Sequence, residues 1–445
     1  MTRKPRHLAF HLIFLSLVLL MGSSTQEYKF ISSGDVHNIL PLWDQAKFME
    51  RQLKWRQEHV LPEIMRREQV DLWIVEKSEG VLYLSLLPGD KEGLVPEEPS
   101  WLVYHNAGRG GRMELRFAEQ DQLAGLVKRL GPVRIGVGER NIPRMKETLG
   151  NPFGDRLVDS KNLRIGFLEK RSPEEISAFH YATRIAHDVI AEAFSNRAVI
   201  PDVTTTDELN WWIRQRYRDL GLMTSDHPTI TLQRCDANLE KFDDPPEYFR
   251  EGRTSNGVSV VVRRGDVISC DTDLFLLGLV TDSHQHAYVL KERETDVPEA
   301  LEVALRKVNR IQDLFRKEFL AGRAGKEIVA AAKMIKPEDG IIETELGFHP
   351  PPMYIRRFLQ GGYMFDHKTY VAGMTSGPGY YPTSIVSNNH KLHANTLYAF
   401  EPHACAAALG WKDGLELGIG QIADFTENGL QYLARPQEHQ WHIIK

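Results

Sequence analysis

The stretch that most constrains this chain runs from Arg264 to Leu290, RGDVISCDTDLFLLGLVTDSHQHAYVL. Val267 to Cys270 is a β-rich run, Leu274 to Leu277 is apolar, Gly278 offers a turn, and Ala287 to Leu290 is apolar again. The pattern predicts two strands joined by a tight connection. Side chains alternate faces along a strand, so Asp282, His284 and His286 share one face of the second strand. Asp271 precedes Asp282 by eleven residues, far enough for the chain to return beside itself across a hairpin. Carboxylates and imidazoles gathered on a rigid sheet form a metal-binding constellation. The competing reading of the same residues is that the aspartates cap turns and the histidines line a polar sheet face.

Lys+Arg 55 against Asp+Glu 60 leaves a net charge of −5. No basic run makes a nucleic-acid footprint, so that class of partner is set aside. The 445 residues suggest two or three domains. At the amino terminus Arg3, Lys4, Arg6 and His7 precede the apolar run Leu12 to Leu20, and small and polar Gly22-Ser-Ser-Thr25 follows. Charged, apolar, then small is the order of a secretory signal peptide over residues 1–25, with an uncleaved anchor as the alternative. The run is too short to span a bilayer comfortably. The expectation is a secreted or periplasmic protein with no stable membrane span after cleavage. Cys235, Cys270 and Cys405 are too few for a disulfide framework, and an odd count leaves at least one thiol free. Cys270, inside an apolar strand, reads as core.

Along the chain, Phe48, Leu53, Trp55, Val60, Leu61, Ile64 and Met65 recur at helical spacing between Trp43 and Arg67. Strands are predicted at Val70 to Val75, Trp101 to Tyr104 and Val133 to Val137, a glycine-rich hairpin loop at Asn106 to Arg112, and a helix at Gln120 to Leu130. These elements make an α/β domain over residues 40–165. A boundary follows, where Ser172 is placed to cap a helix, Pro173 to open it and Glu175 to reach back. A second helix is predicted after Thr204-Thr-Thr-Asp. Arg234 to Asn256, polar with Pro245-Pro246, reads as a loop over the site. Helices at Val297 to Leu320 and Gly325 to Ile335 precede strands at Thr396 to Glu401 and Ile419 to Phe425. Residues 170–445 form the second domain. Neither HExxH nor GxSxG occurs.

Taken together, the α/β amino domain, the Ser-Pro-Glu-Glu helix start and Gly265-Asp266 followed by Asp271 and Asp282 resemble the creatinase and aminopeptidase P group. That group contains the Xaa-Pro aminopeptidases and dipeptidases, and the resemblance runs from about Trp43 to Lys445. Within it, Asp282-Ser-His-Gln-His-Ala-Tyr-Val-Leu290 and Asn395 to Glu401 look most like secreted bacterial members. The implied fold is an α/β amino-terminal domain followed by an α+β pita-bread domain, a curved antiparallel sheet covered by helices. The implied cofactor is one or two divalent ions, manganese, cobalt or zinc. Two such ions share a bridging water and hold the attacked carbonyl. Position by position, the resemblance assigns Asp271, Asp282, His367 and Glu401 as metal ligands. The implied substrate is a short peptide, and subunits of the group frequently pair.

Two positions depart from the group's pattern. Met374 stands where a second, catalytic histidine is expected, and a methionine cannot donate a hydrogen bond. Gly420 stands where the last ligand glutamate is expected, with Glu416 four residues out of register. His284 takes a position usually held by threonine and is the candidate to ligate or to replace the missing catalytic histidine. His390, His393 and His403 lie near Glu401 in sequence and are weaker substitutes, each reading more readily as an ordinary surface histidine. Three readings follow: a metal-dependent hydrolase of short peptides, a catalytically inactive relative that binds a small molecule or peptide, and, more weakly, a hydrolase of a non-peptide C–N bond.

Overall fold

Alternate residues of one short strand feed two separate cores, and this organises the amino-terminal region. β1 (Leu72–Glu76) is buried on both faces. Leu72 and Ile74 pack with Leu123, Leu126, Val127, Met145 and Leu149, and Trp73 and Val75 pack with Leu53, Leu61, Ile64, Leu163 and Phe167. The two-residue period of a strand therefore places one helical layer on each side. β2 (Trp101–Asn106) and β3 (Met113–Ala118) extend the sheet antiparallel, and β4 (Ile135–Val137) and β5 (Leu157–Asp159) extend it parallel, in the order β3-β2-β1-β4-β5. The helix at Gln120–Leu130 ends on Gly131, whose φ of 60° is the left-handed cap that glycine supplies.

The computed structural model describes residues 39–76, 101–106, 113–224, 228–235, 259–277, 279–335, 340–349, 353–359, 362–369, 374–375, 391–434, 437 and 440–445. The predicted signal peptide, the glycine-rich connection after Asn106 and the polar run from 236 to 258 lie outside them, as does His390. Among the described residues no helix is long and apolar enough to cross a membrane.

A buried ion cluster ties the first helical segment to the next. The predicted helix over Trp43 to Arg67 is two α-helices, Leu42–Trp55 and Leu61–Arg67, joined by a π turn at Arg56–Val60. The turn carries Arg56 inward, where Nη2 donates to both carboxylate oxygens of Glu175 at 2.5 and 2.6 Å, and Nη1 donates to the carbonyls of Phe167 and Lys170. Glu175 also accepts from the backbone N–H of Ser172 at 3.0 Å, and Ser172 Oγ accepts from Glu175 N at 3.0 Å. This is the predicted capping box, and it opens the helix Pro173–Ala193. The next helix, Thr206–Asp219, has the same device in Thr205 and Glu208.

The remaining strands make three antiparallel-rich sheets. β6 (Met223–Thr224) joins one. β7 (Thr229–Gln233), β8 (Val267–Thr272), β11 (Ser283–Val289) and β20 (His442–Ile444) form another, in the order β20-β11-β8-β7. The predicted tight connection between β8 and β11 is itself a small hairpin, β9 (Leu274–Leu276) and β10 (Leu279–Val280), which leaves to pair with β6 and with β13 (Met353–Leu359). β14 (Gly362–Thr369) closes that sheet against β13. The third sheet is built on the long strand β16 (Thr396–Ala408). It pairs with β12 (Ile341–His349), β17 (Trp411–Gly418) and β18 (Gln421–Thr426), with β15 (Met374–Thr375) and β19 (Gly429–Tyr432) at the edges.

Helix Glu299–Arg316 fixes which way β16 faces. Leu301, Ala304, Leu305 and Val308 pack on Ala404, Ala406, Leu415 and Leu417. Further along, Ile311 and Phe315 pack in one cluster with Tyr398, Phe400 and Phe425. The even-numbered residues of β16 thus meet the helix. Alternation then sends Glu401, His403 and Cys405 to the opposite face.

Candidate metal site

β8 and β11 pair antiparallel with Asp271 opposite His284 and Ser269 opposite His286. Directly opposed residues share a face, so Asp271 and His284 meet. Nε2 of His284 lies 3.1 Å from Oδ2 of Asp271, and Nδ1 lies 3.7 Å from Oδ1 of Asp282. Ligand atoms of the three residues all lie within 4.8 Å of one another. Asp282 is 7% exposed, whereas the Asp271 side chain is 41% exposed, so the group has a covered side and an open side.

Glu401, buried at 4% exposure on the facing sheet, acts on the same imidazole. Burial by itself would push His284 down. The carboxylates of Asp271, Asp282 and Glu401 outweigh it and raise the imidazole to about 10. Asp271, Asp282 and His284 thus converge, and Glu401, 130 residues after Asp271 in sequence, lies near enough to bias the same imidazole.

His367 sits on β14 opposite Ile355, in a different sheet from β8, β11 and β16, and its side chain lies outside the described residues. Met374 is on β15 opposite Phe348. Glu416 is on β17 opposite Cys405, which puts it on the sheet face that carries Glu401 and His403, and its backbone is held by the side chain of Gln233 at 2.7 and 3.0 Å. His286 shares the site-facing side of β11 but has a structural task. Its Nε2 donates to the Gly418 carbonyl at 2.8 Å, which leaves Nδ1 to accept from the Ser269 hydroxyl at 2.6 Å. Burial holds it well below its ordinary range, at about 3.

Sequence reasoning placed His403 at the surface; the structure corrects this. It follows Glu401 by two residues on the same face of β16, it is partly buried, and its ring centre lies 6.0 Å from that of His284. Apolar neighbours Pro402 and Ala404 gave the signal, since alternation alone puts His403 with Glu401.

Beneath the two rings lie two glycines. A Cβ on Gly420 would collide with the His284 ring, closest to Nδ1, and a Cβ on Gly418 would collide with the His403 ring. The imidazole of His284 thus fills the space over Gly420, where the sequence lacks the expected glutamate. The donor set fits a divalent cation: three carboxylates supply hard oxygen, an imidazole supplies borderline nitrogen, and the buried Nδ1 of His284 has no hydrogen-bond partner.

No protein-family model and no curated protein matches the sequence. Solved structures do match. An X-Pro aminopeptidase from Thermotoga maritima MSB8 aligns with TM-score 0.52 at 14% identity, covering 86% of this chain and 99% of that one. A Xaa-Pro dipeptidase from Bacillus anthracis aligns with TM-score 0.50 at 14% identity, covering 88% and 99%. A dipeptidase from Mycobacterium ulcerans aligns with TM-score 0.50 at 13% identity, covering 89% and 98%. Such identities establish the architecture and nothing finer. An α/β amino-terminal region followed by a curled antiparallel sheet with helices is the pita-bread fold, and this chain has it.

Proposed function

We propose that the chain is a metal-dependent hydrolase of short peptides of the Xaa-Pro aminopeptidase or dipeptidase type. The observation that carries this is the convergence of Asp271, Asp282 and His284 within 4.8 Å, inside a fold shared with peptidases that act at Xaa-Pro bonds. Asp271, Asp282 and Glu401 hold the cation by charge. When bound, a manganese, cobalt or zinc ion supplies Lewis acidity toward the scissile carbonyl. His284 works at the same centre, as a nitrogen ligand or as hydrogen-bond donor to the oxyanion that develops. The charged-apolar-small amino terminus adds that the enzyme is exported, which amino-terminal sequencing of protein recovered outside the cytosol checks.

The test is to strip the purified protein with chelator, add back each metal, and assay Xaa-Pro dipeptides and tripeptides. Turnover that is restored by metal and lost in Asp271→Asn and Glu401→Gln supports the reading. Absence of turnover with all three metals overturns it. The ring of His284 over Gly420 favours a second reading, since it closes room that a further ligand would use. In that reading the pocket binds a peptide or small molecule without cleaving it. A ligand-induced rise in Tm that persists in Asp271→Asn, with no turnover, is its signature.

A further inference from the structure

We infer that the centre is a nitrogen-rich, one-ion site in which His284 and His403 both ligate, selective for a borderline cation such as zinc or copper over manganese. This rests on the reading that the site holds a divalent ion, and it assigns as a ligand His403, which the sequence offers only as a weak substitute and the comparisons do not name.

Four features converge. The two rings approach from different sheets, His284 from β11 and His403 from β16. Their centres are 6.0 Å apart. With metal–nitrogen bonds of about 2.0–2.1 Å, the centres of two imidazoles on one ion lie roughly 5–6 Å apart, so little ring movement brings both to a shared cation. Each ring lies over a glycine, His284 over Gly420 and His403 over Gly418. Side chains at those two positions would evict the rings, so the glycines make the space that the imidazoles use. The carboxylates of Asp271 and Asp282 flank His284, and Glu401 precedes His403 on the same face of its strand.

The consequence is chemical. Carboxylate oxygens alone suit hard ions such as manganese. Adding two imidazoles moves the preference toward zinc and copper, beyond the general rise in affinity across the first-row metals. His286 supports the arrangement from behind, since its bond to the Gly418 carbonyl fixes the strand end on which the His403 ring rests.

The experiment uses the full chain, stripped of metal and titrated calorimetrically with zinc and with manganese, and loaded with copper(II) for electron paramagnetic resonance. The wild type is expected to bind one zinc ion and to show nitrogen hyperfine splitting from two imidazoles. His403→Gln and His284→Gln are each expected to show one. His403→Gln is expected to weaken zinc at least about 10-fold, as loss of a ligand or its support does, and to leave manganese within about 2-fold. His403→Asn serves as the second variant should His403→Gln lose its native circular dichroism. A two-nitrogen signal in the His403 variants, or unchanged zinc affinity, overturns the inference while leaving the metallohydrolase reading in place. No binding of zinc, manganese or copper by the wild type overturns both.

Discussion

His284 and Gly420 are bound to each other twice over: the His284 backbone N–H donates to the Gly420 carbonyl at 3.3 Å, and the His284 ring covers the face where a Gly420 side chain would stand. Gly420→Ala must therefore push the ring away from Asp271. Overpacking of this kind costs about 1–3 kcal/mol. In a His284→Ala background the space is free, and the same substitution is expected to cost under about 0.5 kcal/mol, giving a coupling energy of roughly 1 kcal/mol or more. Urea denaturation of the four proteins measures it. Equal costs in the two backgrounds would show that the ring and the glycine are independent.

Glu175 is a single buried carboxylate facing two buried guanidinium groups, Arg56 at 2.5 Å and Arg171 at 3.6 Å. Burial raises the carboxyl, but the two arginines outweigh it and hold it below its ordinary range, and burial lowers Arg171 to about 10. Glu175→Gln keeps the shape and removes the charge, leaving two buried cations uncompensated. A loss of about 3–5 kcal/mol is expected, although the glutamine oxygen can still accept from the Ser172 N–H. A urea midpoint unchanged from wild type would show that solvent reaches the cluster.

The parts of the fold that are legible in the sequence are those set by local chemistry. The helix Gln120–Leu130 matches its apolar spacing to the residue, and Ser172 and Glu175 announce a capping box by residue type and three-residue spacing alone. Asp271 and His284 stand out because a two-residue period reports which side chains share a strand face. That period says nothing about which strand lies opposite. The register that sets His403 against Gly418 is fixed by helix Glu299–Arg316 packing on the even face of β16, a long-range choice. For the same reason Arg234, which reads as the start of a polar loop, is buried, with Nε 2.7 Å from Oδ1 of Asp266, a partner 32 residues on. Arg56 misleads likewise, since a charge in a helical run reads as solvated unless the buried carboxylate that receives it is known.

Acid should weaken the fold before any ordinary carboxylate titrates. His187 and His442 are both lowered to about 4, in each case mainly by burial and for His187 also by the neighbouring His442. The Nε2 atom of His187 is covered without a hydrogen-bond partner, while Nε2 of His442 donates to Oε1 of Gln285 at 2.6 Å. In the unfolded chain both have the ordinary value near 6.5, so between about pH 6.5 and pH 4 the unfolded state binds protons that the folded state refuses. Stability therefore falls as pH drops through that window, by on the order of 2 kcal/mol for each histidine after allowance for their partial exposure. His284 contributes little slope over most of that window, because its raised value keeps it protonated in the fold and the unfolded imidazole becomes protonated below about pH 6. Glu175 adds its own loss only below about pH 4.5, its unfolded value. Urea midpoints at pH 6.0, 5.5 and 5.0, below the range in which His284 gains stability as pH falls, should decline for the wild type and decline less for His187→Leu, which removes the proton acceptor without leaving a polar atom buried. Parallel declines in the two proteins would place the acid sensitivity outside this histidine pair.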